Sequence, residues 1–256
     1  MTFYADLDVS VLDEMPPGRT PVATRMVNQK RRGEIVTWVG KLCGEGRQAY
    51  WVCPLIEESE KLELQTAVAL HAELTAALPA LRVGLLHGRM KPDEKGTTMA
   101  AFVAGEIDVL VATTVIEVGV DVPNASVMVI EHAERFGLSQ LHQLRGRVGR
   151  GAAESTCVLL FEEPVGDVAK LRLKVIYENT DGFEIARQDL LIRGPGEFLG
   201  ARQSGVPLLR FADLERDAAL IEQTQEAADE LLAKDPAAAQ AHLERWLGGR
   251  AEYIRA

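Results

Sequence analysis

The chain has 256 residues, 47% of them hydrophobic and 26% charged, which is enough apolar side chain for a folded core. No apolar run reaches the ~18 residues of a membrane span, and no basic stretch followed by an apolar core opens the chain as a secretory signal would, so a cytoplasmic protein without a membrane partner is expected. The net charge of −10 weighs only lightly against nucleic-acid binding, because local arginines rather than the total contact phosphates, and Arg145, Arg147 and Arg150 cluster. The cysteines, Cys43, Cys53 and Cys157, are odd in number and lack C-x-x-C spacing, which argues against a zinc site or a disulfide framework.

Residues 1–22 read as an irregular connector, because Pro16-Pro17-Gly18 blocks regular structure. The helical spacing of Ile35, Val36, Val39 and Leu42 predicts a helix over 28–42, ended by Gly44 and Gly46. Strands and helices then alternate: strand 49–53, helix 61–78, strand 82–86, helix 91–104, strand 108–112, strand 126–130, helix 138–147 and strand 156–161. Continuous apolar strands separated by helices predict an α/β fold, with a parallel sheet covered on both faces. Ligand sites in such folds lie at the carboxyl ends of strands, where the non-apolar segments 54–59, 87–91 and 113–123 fall. Beyond Pro164 the pattern turns mainly helical, with helices expected over 168–177 and 183–191. A loop rich in glycine and proline follows at 193–200, then an Ala- and Glu-rich helical end at 213–255, broken at Asp235-Pro236.

The strongest chemical signal is Gln143-Leu-Arg-Gly-Arg-Val-Gly-Arg150. On a continuous helix, Gln143, Arg147 and Arg150 stand at i, i+4 and i+7 and share a face. Two guanidinium forks on one face suit a polyphosphate and the charge of a phosphoryl-transfer transition state. The competing reading is a solvated helical face. Glycine inside a helix costs roughly 1 kcal/mol, so Gly146 and Gly149 argue against it. The second signal is Thr113-Thr-Val-Ile-Glu-Val-Gly-Val-Asp-Val-Pro123. The hydroxyls of Thr113 and Thr114 suit a phosphate, and Gly119, Asp121 and Pro123 shape the connection to the next strand; a threonine-capped strand-to-helix turn is nearly as good a reading. Third, His87-Gly88-Arg89-Met90-Lys91 places a histidine and two cations at a strand end, although a lone histidine is more often structural. No second His or Asp stands at ligand spacing beside it, so no metal site is expected. The phosphate loop G-x-x-x-x-G-K-[ST] does not occur, and Asp13-Glu14 reads as connector rather than as a magnesium-holding pair. Arginines suited to a transition state, without a phosphate loop, point to a nucleotide site supplied by another domain.

Taken together these motifs resemble superfamily 2 helicases, whose second RecA-like domain carries Q-x-x-G-R-x-x-R, matched here by Gln143, Gly146, Arg147 and Arg150. The resemblance narrows to the RecG family through two further segments. Residues 6–22 look like the connector between its two motor domains, and 183–205, with Asp189-Leu-Leu-Ile-Arg-Gly-Pro-Gly-Glu-Phe-Leu-Gly and Arg202-Gln-Ser-Gly205, look like its translocation motif. It implies a RecA-like sheet of the P-loop-NTPase type with a mainly helical C-terminal extension. The implied domains are a connector at 1–22, a second RecA-like domain at 23–165, a hairpin and translocation loop at 166–210, and terminal helices at 211–256. The resemblance further implies catalytic roles for Arg147 and Arg150. Gln143, Gly119 and Asp121 would contact nucleotide, and His87, Thr113, Thr114, Arg172, Arg193 and Gln203 would contact DNA or couple to it. ATP and Mg2+ would be held mainly by a first motor domain outside this chain, so the chain alone is expected to bind neither. Branched double-stranded DNA, the wedge and first motor domains, and single-stranded-DNA-binding protein are the implied partners. A stand-alone, non-hydrolysing nucleic-acid module and the tail of a transcription-repair coupling translocase are the alternatives.

Overall fold

The computed structural model describes residues 21–54, 60–113, 122–151, 153–193 and 220–247. Six strands form one sheet: β1 (Ala23–Asn28), β2 (Gln48–Val52), β3 (Val83–Leu86), β4 (Val109–Ala112), β5 (Ala125–Ile130) and β6 (Thr156–Phe161). Its order is β1-β6-β5-β2-β4-β3, and every pairing is parallel. The helices between them are α1 (Arg32–Gly44), α2 (Glu60–Ala77), α3 (Pro92–Val103) and α4 (Leu138–Arg145), and a hairpin of α5 (Asp167–Glu178) and α6 (Gly182–Arg193) follows β6. Residues 14–194 make one compact unit. In the other, α7 (Ile221–Lys234) and α8 (Pro236–Leu247) pack on each other. None of the described helices is long and apolar enough to cross a membrane.

Every residue of β2, β4 and β5 is buried, which explains why these strands read as unbroken apolar runs. Side chains alternate between the two faces. Tyr50, Val52, Leu110, Met128 and Ile130 pack with Met99 and Phe102 of α3, Leu138 and Leu141 of α4, and Leu173 and Ile176 of α5. Trp51, Val109, Val111, Val127 and Val129 face the other way, onto Val39 and Cys43 of α1 and Leu70 and Leu74 of α2. The rings of Tyr50 and Phe102 meet at 4.9 Å. All three cysteines are buried free thiols; burial, reinforced by the Asp108 charge, pushes Cys43 up to about 12.

One strand went unread, and one helix start shifts. Residues 23–27, between the expected connector and the expected helix, carried no assignment; they open β1, an edge strand paired among the described residues with β6, whose half-exposed sequence Ala-Thr-Arg-Met-Val-Asn carries no apolar run to announce it. The helix expected from Asn28 starts at Arg32. Residues Gln29–Arg31 form a 3-10 turn, begun by Asn28, whose Oδ1 accepts the Lys30 N–H at 3.0 Å.

Candidate nucleotide and nucleic-acid site

The carboxyl edge of the sheet carries one row of residues. The Thr113 N–H donates to the Leu86 carbonyl at 3.2 Å, Cys53 N–H to Ala112 at 3.0 Å, and Glu131 N–H to Val52 at 2.8 Å. This places His87, Thr113, Cys53 and Glu131 at the ends of four neighbouring strands, β3, β4, β2 and β5. Thr113 is fully buried, and its Oγ1 has no hydrogen-bond partner among the described residues. A buried hydroxyl without a partner is costly, and it marks the carboxyl end of β4 as a place for a polar group. Past His87 the chain turns, with the Met90 N–H donating to the His87 carbonyl, and Glu94 caps Lys91 to open α3.

The arginine segment lies elsewhere. Asn124 accepts the N–H of Gln48, the first residue of β2, so Pro123 sits at the amino edge of the sheet. A Cβ built on Gly151 would lie 2.3 Å from the Pro123 carbonyl oxygen, so the backbone just after Arg150 rests directly on Pro123. The sheet therefore separates the predicted residues into two groups: His87 and Thr113 at the carboxyl edge, and the arginine segment beside Pro123. Thr113 and Pro123, the two ends of the second motif, thus lie at opposite edges of the sheet.

The shared helical face of Gln143, Arg147 and Arg150 is overturned. α4 stops at Arg145 with Gly146 as its cap. The Arg147 and Val148 N–H groups make shorter-range bonds to Leu144 and Arg145, and Gly149, at φ 82°, turns the chain away. The two glycines are helix stops, so the penalty expected for glycine within a helix does not arise. Val148, fully buried, anchors the segment between its arginines. Gln143 and Arg150 are exposed and Arg147 is half-buried. Among the described residues, the side chains of Gln143 and Arg147 make no hydrogen bond or ion pair, which leaves their donors open to a ligand.

Arg145 is not a phosphate-facing member of the cluster, as its sequence position had suggested. It is only 5% exposed. Its Nη1 donates to the Ile176 and Asn179 carbonyls, both at 2.8 Å, and to Thr24 Oγ1 at 3.4 Å, while Nη2 lies 3.3 Å from His142 Nδ1. Burial lowers its pKa, and it in turn tempers the rise that burial gives the neighbouring Cys157 thiol, pushed up to about 12. Arg172 of α5 also turns inward: its Nη1 donates to the Phe136 carbonyl at 2.9 Å, and its buried Nε lacks a partner among the described residues. Arg193 is the last residue of α6. Thr114, Gly119, Asp121 and Gln203 lie outside the described residues.

One cluster escaped the sequence reading. Glu131, 4% exposed, accepts at Oε1 from Arg32 Nε (2.6 Å) and Trp51 Nε1 (2.9 Å), and at Oε2 from Gln29 Nε2 (2.8 Å). Arg32 also reaches Glu73 and lies 5.5 Å over the Trp51 ring. A carboxylate closing the apolar run Val127-Met-Val-Ile130 was the available signal. Next to it, His132 holds a left-handed backbone (φ 48°) that a non-glycine residue seldom adopts. Glu134 Oε1, accepting a hydrogen bond from its Nδ1, raises its pKa, against the opposing effect of burial. Among the described residues no three His, Cys, Asp or Glu side chains group as metal ligands.

Comparison with known proteins gives the family. Residues 34–152 match the helicase conserved C-terminal domain, and 179–246 match the C-terminal part of domain 3 of ATP-dependent DNA helicase RecG. The chain is 58% identical over 253 residues to ATP-dependent DNA helicase RecG of Acidithiobacillus ferridurans, covering 99% of this chain and 37% of that protein. It is 58% identical over 257 residues to the protein of that name from Escherichia coli K12, covering 100% of this chain and again 37% of the relative. A solved structure of RecG bound to a three-way DNA junction superposes with a TM-score of 0.68 at 49% identity, over 86% of this chain and 28% of that one. The chain thus spans little more than a third of these relatives' length. Its parallel sheet with helices on both faces is the RecA-like helicase fold expected from the motifs. By both family matches and by identity along its whole length, the chain belongs to the RecG family of helicases, whose C-terminal portion it represents.

Proposed function

We propose that this chain is the second motor domain and DNA-coupling tail of a RecG-type, ATP-dependent DNA helicase that remodels branched DNA such as stalled forks and Holliday junctions. The observation that supports the reading is the two-edged sheet: His87 and Thr113 at the ends of neighbouring strands on its carboxyl edge, and the arginine segment beside Pro123 at its amino edge. In this reading Arg147 and Arg150 reach the γ-phosphate of an ATP whose phosphates and Mg2+ are held by a first motor domain outside the chain. Bound ATP supplies the phosphoryl group that passes to water. The guanidinium forks neutralise charge as it develops on the phosphoryl oxygens. The open donors of Gln143 and Arg147 fit a polyphosphate, and Gln143, Gly119 and Asp121 register the nucleotide.

His87, Thr113 and Thr114 lie near the DNA, and Arg172, Arg193 and Gln203 couple closure of the motor to DNA movement. The boundaries are a connector at 1–22, the RecA-like domain at 23–165, the hairpin and translocation loop at 166–210, and terminal helices at 211–256. The partners are branched duplex DNA, the wedge and first motor domains, and single-stranded-DNA-binding protein, in the cytoplasm.

The test is Arg150→Ala in the full-length protein. ATP binding is expected to survive while turnover falls about 10³-fold or more, the scale of other arginine fingers. Turnover at the unmutated rate would remove the role, and DNA-stimulated hydrolysis by this chain alone would refute the division of labour.

A further inference from the structure

β1 closes the sheet on one side, and among the described residues no strand pairs with its outer edge. The Ala23 N–H donates to the Ser155 carbonyl, which sets the alternation of the parallel ladder. Ala23, Arg25 and Val27 therefore turn their backbone groups to β6, and Thr24 and Met26 turn theirs outward. An edge of this kind is a template for one more strand. β1 contains no proline, and its register with β6 runs without a bulge, so two common devices that block such pairing are absent from it.

The side chains beside this edge line a groove of about 500 Å³. Arg25 stands with Ile35 and Trp38 on the face that carries α1. Met26 and Tyr177, 37% and 54% exposed, stand on the face that carries α5. Two arginines line the groove. Glu34 holds Arg31 through two hydrogen bonds, of 3.0 and 2.7 Å. Arg25 is exposed, and among the described residues its side chain makes no hydrogen bond or ion pair. The groove thus offers an open cation on its α1 face and an open apolar shelf on its α5 face. Successive residues of an added strand point to opposite faces. A strand that alternates acidic and apolar residues would set carboxylates over Arg25 and apolar groups over Met26 and Tyr177.

We propose that the outer edge of β1 docks an extended peptide of a partner protein, in which acidic and apolar residues alternate, by strand addition. Binding needs neither ATP nor DNA, so its test is independent of the functional reading above. The probe is a fluorescein-labelled octapeptide of alternating valine and glutamate, titrated against the full-length protein by fluorescence anisotropy at low ionic strength. A valine–lysine octapeptide is its counterpart. The glutamate peptide is expected to bind saturably, about tenfold or more tighter than the lysine peptide. Met26→Pro deletes an outward N–H and spares the bonds to β6, because proline is tolerated where the N–H faces away from the ladder. It should weaken the glutamate peptide about tenfold. Arg25→Glu should reverse the preference between the two peptides. Should Met26→Pro not fold, Arg25→Glu, on an exposed side chain, decides. Unchanged binding in either folded variant places the peptide elsewhere and overturns the proposal. Failure of the unmutated protein to bind, as when another part of the full-length chain already covers the edge, overturns it too. A dimer that Met26→Pro dissolves in sedimentation would make the occupant a second copy, and would overturn it equally.

Discussion

Replacing Gly151 with alanine tests the contact that joins the two motifs. The added methyl would sit 2.3 Å from the Pro123 carbonyl oxygen and 3.2 Å from its carbonyl carbon. Ordinary carbon contacts are optimal near 3.5 Å, so one of two backbones must move by roughly 1 Å. Neither obstacle is a side chain that could swing aside. Overpacking of this kind costs about 1–3 kcal/mol. The reduced freedom of the unfolded chain returns about 0.4–1 kcal/mol, because Gly151 does not need a left-handed backbone. The net loss is about 1–2 kcal/mol, or about 2–8 °C in Tm for a protein of this size. Thermal unfolding followed by circular dichroism measures it. Gly96 is the control: it is an exposed residue inside α3 with nothing within 4 Å of its would-be Cβ. Alanine there removes a helix penalty of about 0.8–1 kcal/mol and should raise Tm by about 2–4 °C. If Gly151→Ala proves neutral or stabilising like Gly96→Ala, Pro123 does not constrain the arginine segment.

Two further outcomes follow from the cluster at the end of β5. Glu131→Ala leaves the donors of Trp51 and Gln29 unpaired and strips Arg32 of one of its two carboxylates, a loss of about 2–4 kcal/mol by urea denaturation; a change below about 0.5 kcal/mol, typical of surface sites, would mean the network does not support the fold. His132 should titrate above the ~6.5 of a free imidazole by NMR, chiefly through its Glu134 hydrogen bond. Its pKa is raised in the folded state, so its contribution to stability is complete below ~6.5 and is lost as pH climbs through the folded value. Glu134→Gln should bring the midpoint down, and an unmoved midpoint would show that Glu134 is not the cause.

How much of this was legible in the sequence depended on burial. β2, β4 and β5, covered on both faces, were plain as apolar runs, and with them the α/β class. β1 was hidden because an edge strand needs no continuous apolar run, and Arg25 and Met26 can stay exposed in it. The motif residues were legible as a set, but their arrangement was not. Helical spacing places Gln143, Arg147 and Arg150 together only while the helix continues, and whether Gly146 is tolerated within a helix or ends it is decided by what the following residues pack against. Here buried Val148 and the Pro123 backbone decide it. The same limit applies to Arg145 and Arg147, two residues apart and identical in type. One is held in a cage of carbonyls and the other is open, and only the packing of α5 distinguishes them.

The three sequestered thiols have a practical consequence for watching this machine move. With Cys43 and Cys157 pushed up to about 12, only about one part in 10⁵ of either is thiolate at neutral pH, and Cys53 is shielded by burial. Maleimides and other thiol-directed dyes attack the thiolate, so the native cysteines of this chain are poor targets while it stays folded. A single cysteine placed at an exposed position such as Phe183 on α6 would then be the reactive one, and a fluorophore there could follow the hairpin without first removing any native cysteine from this chain.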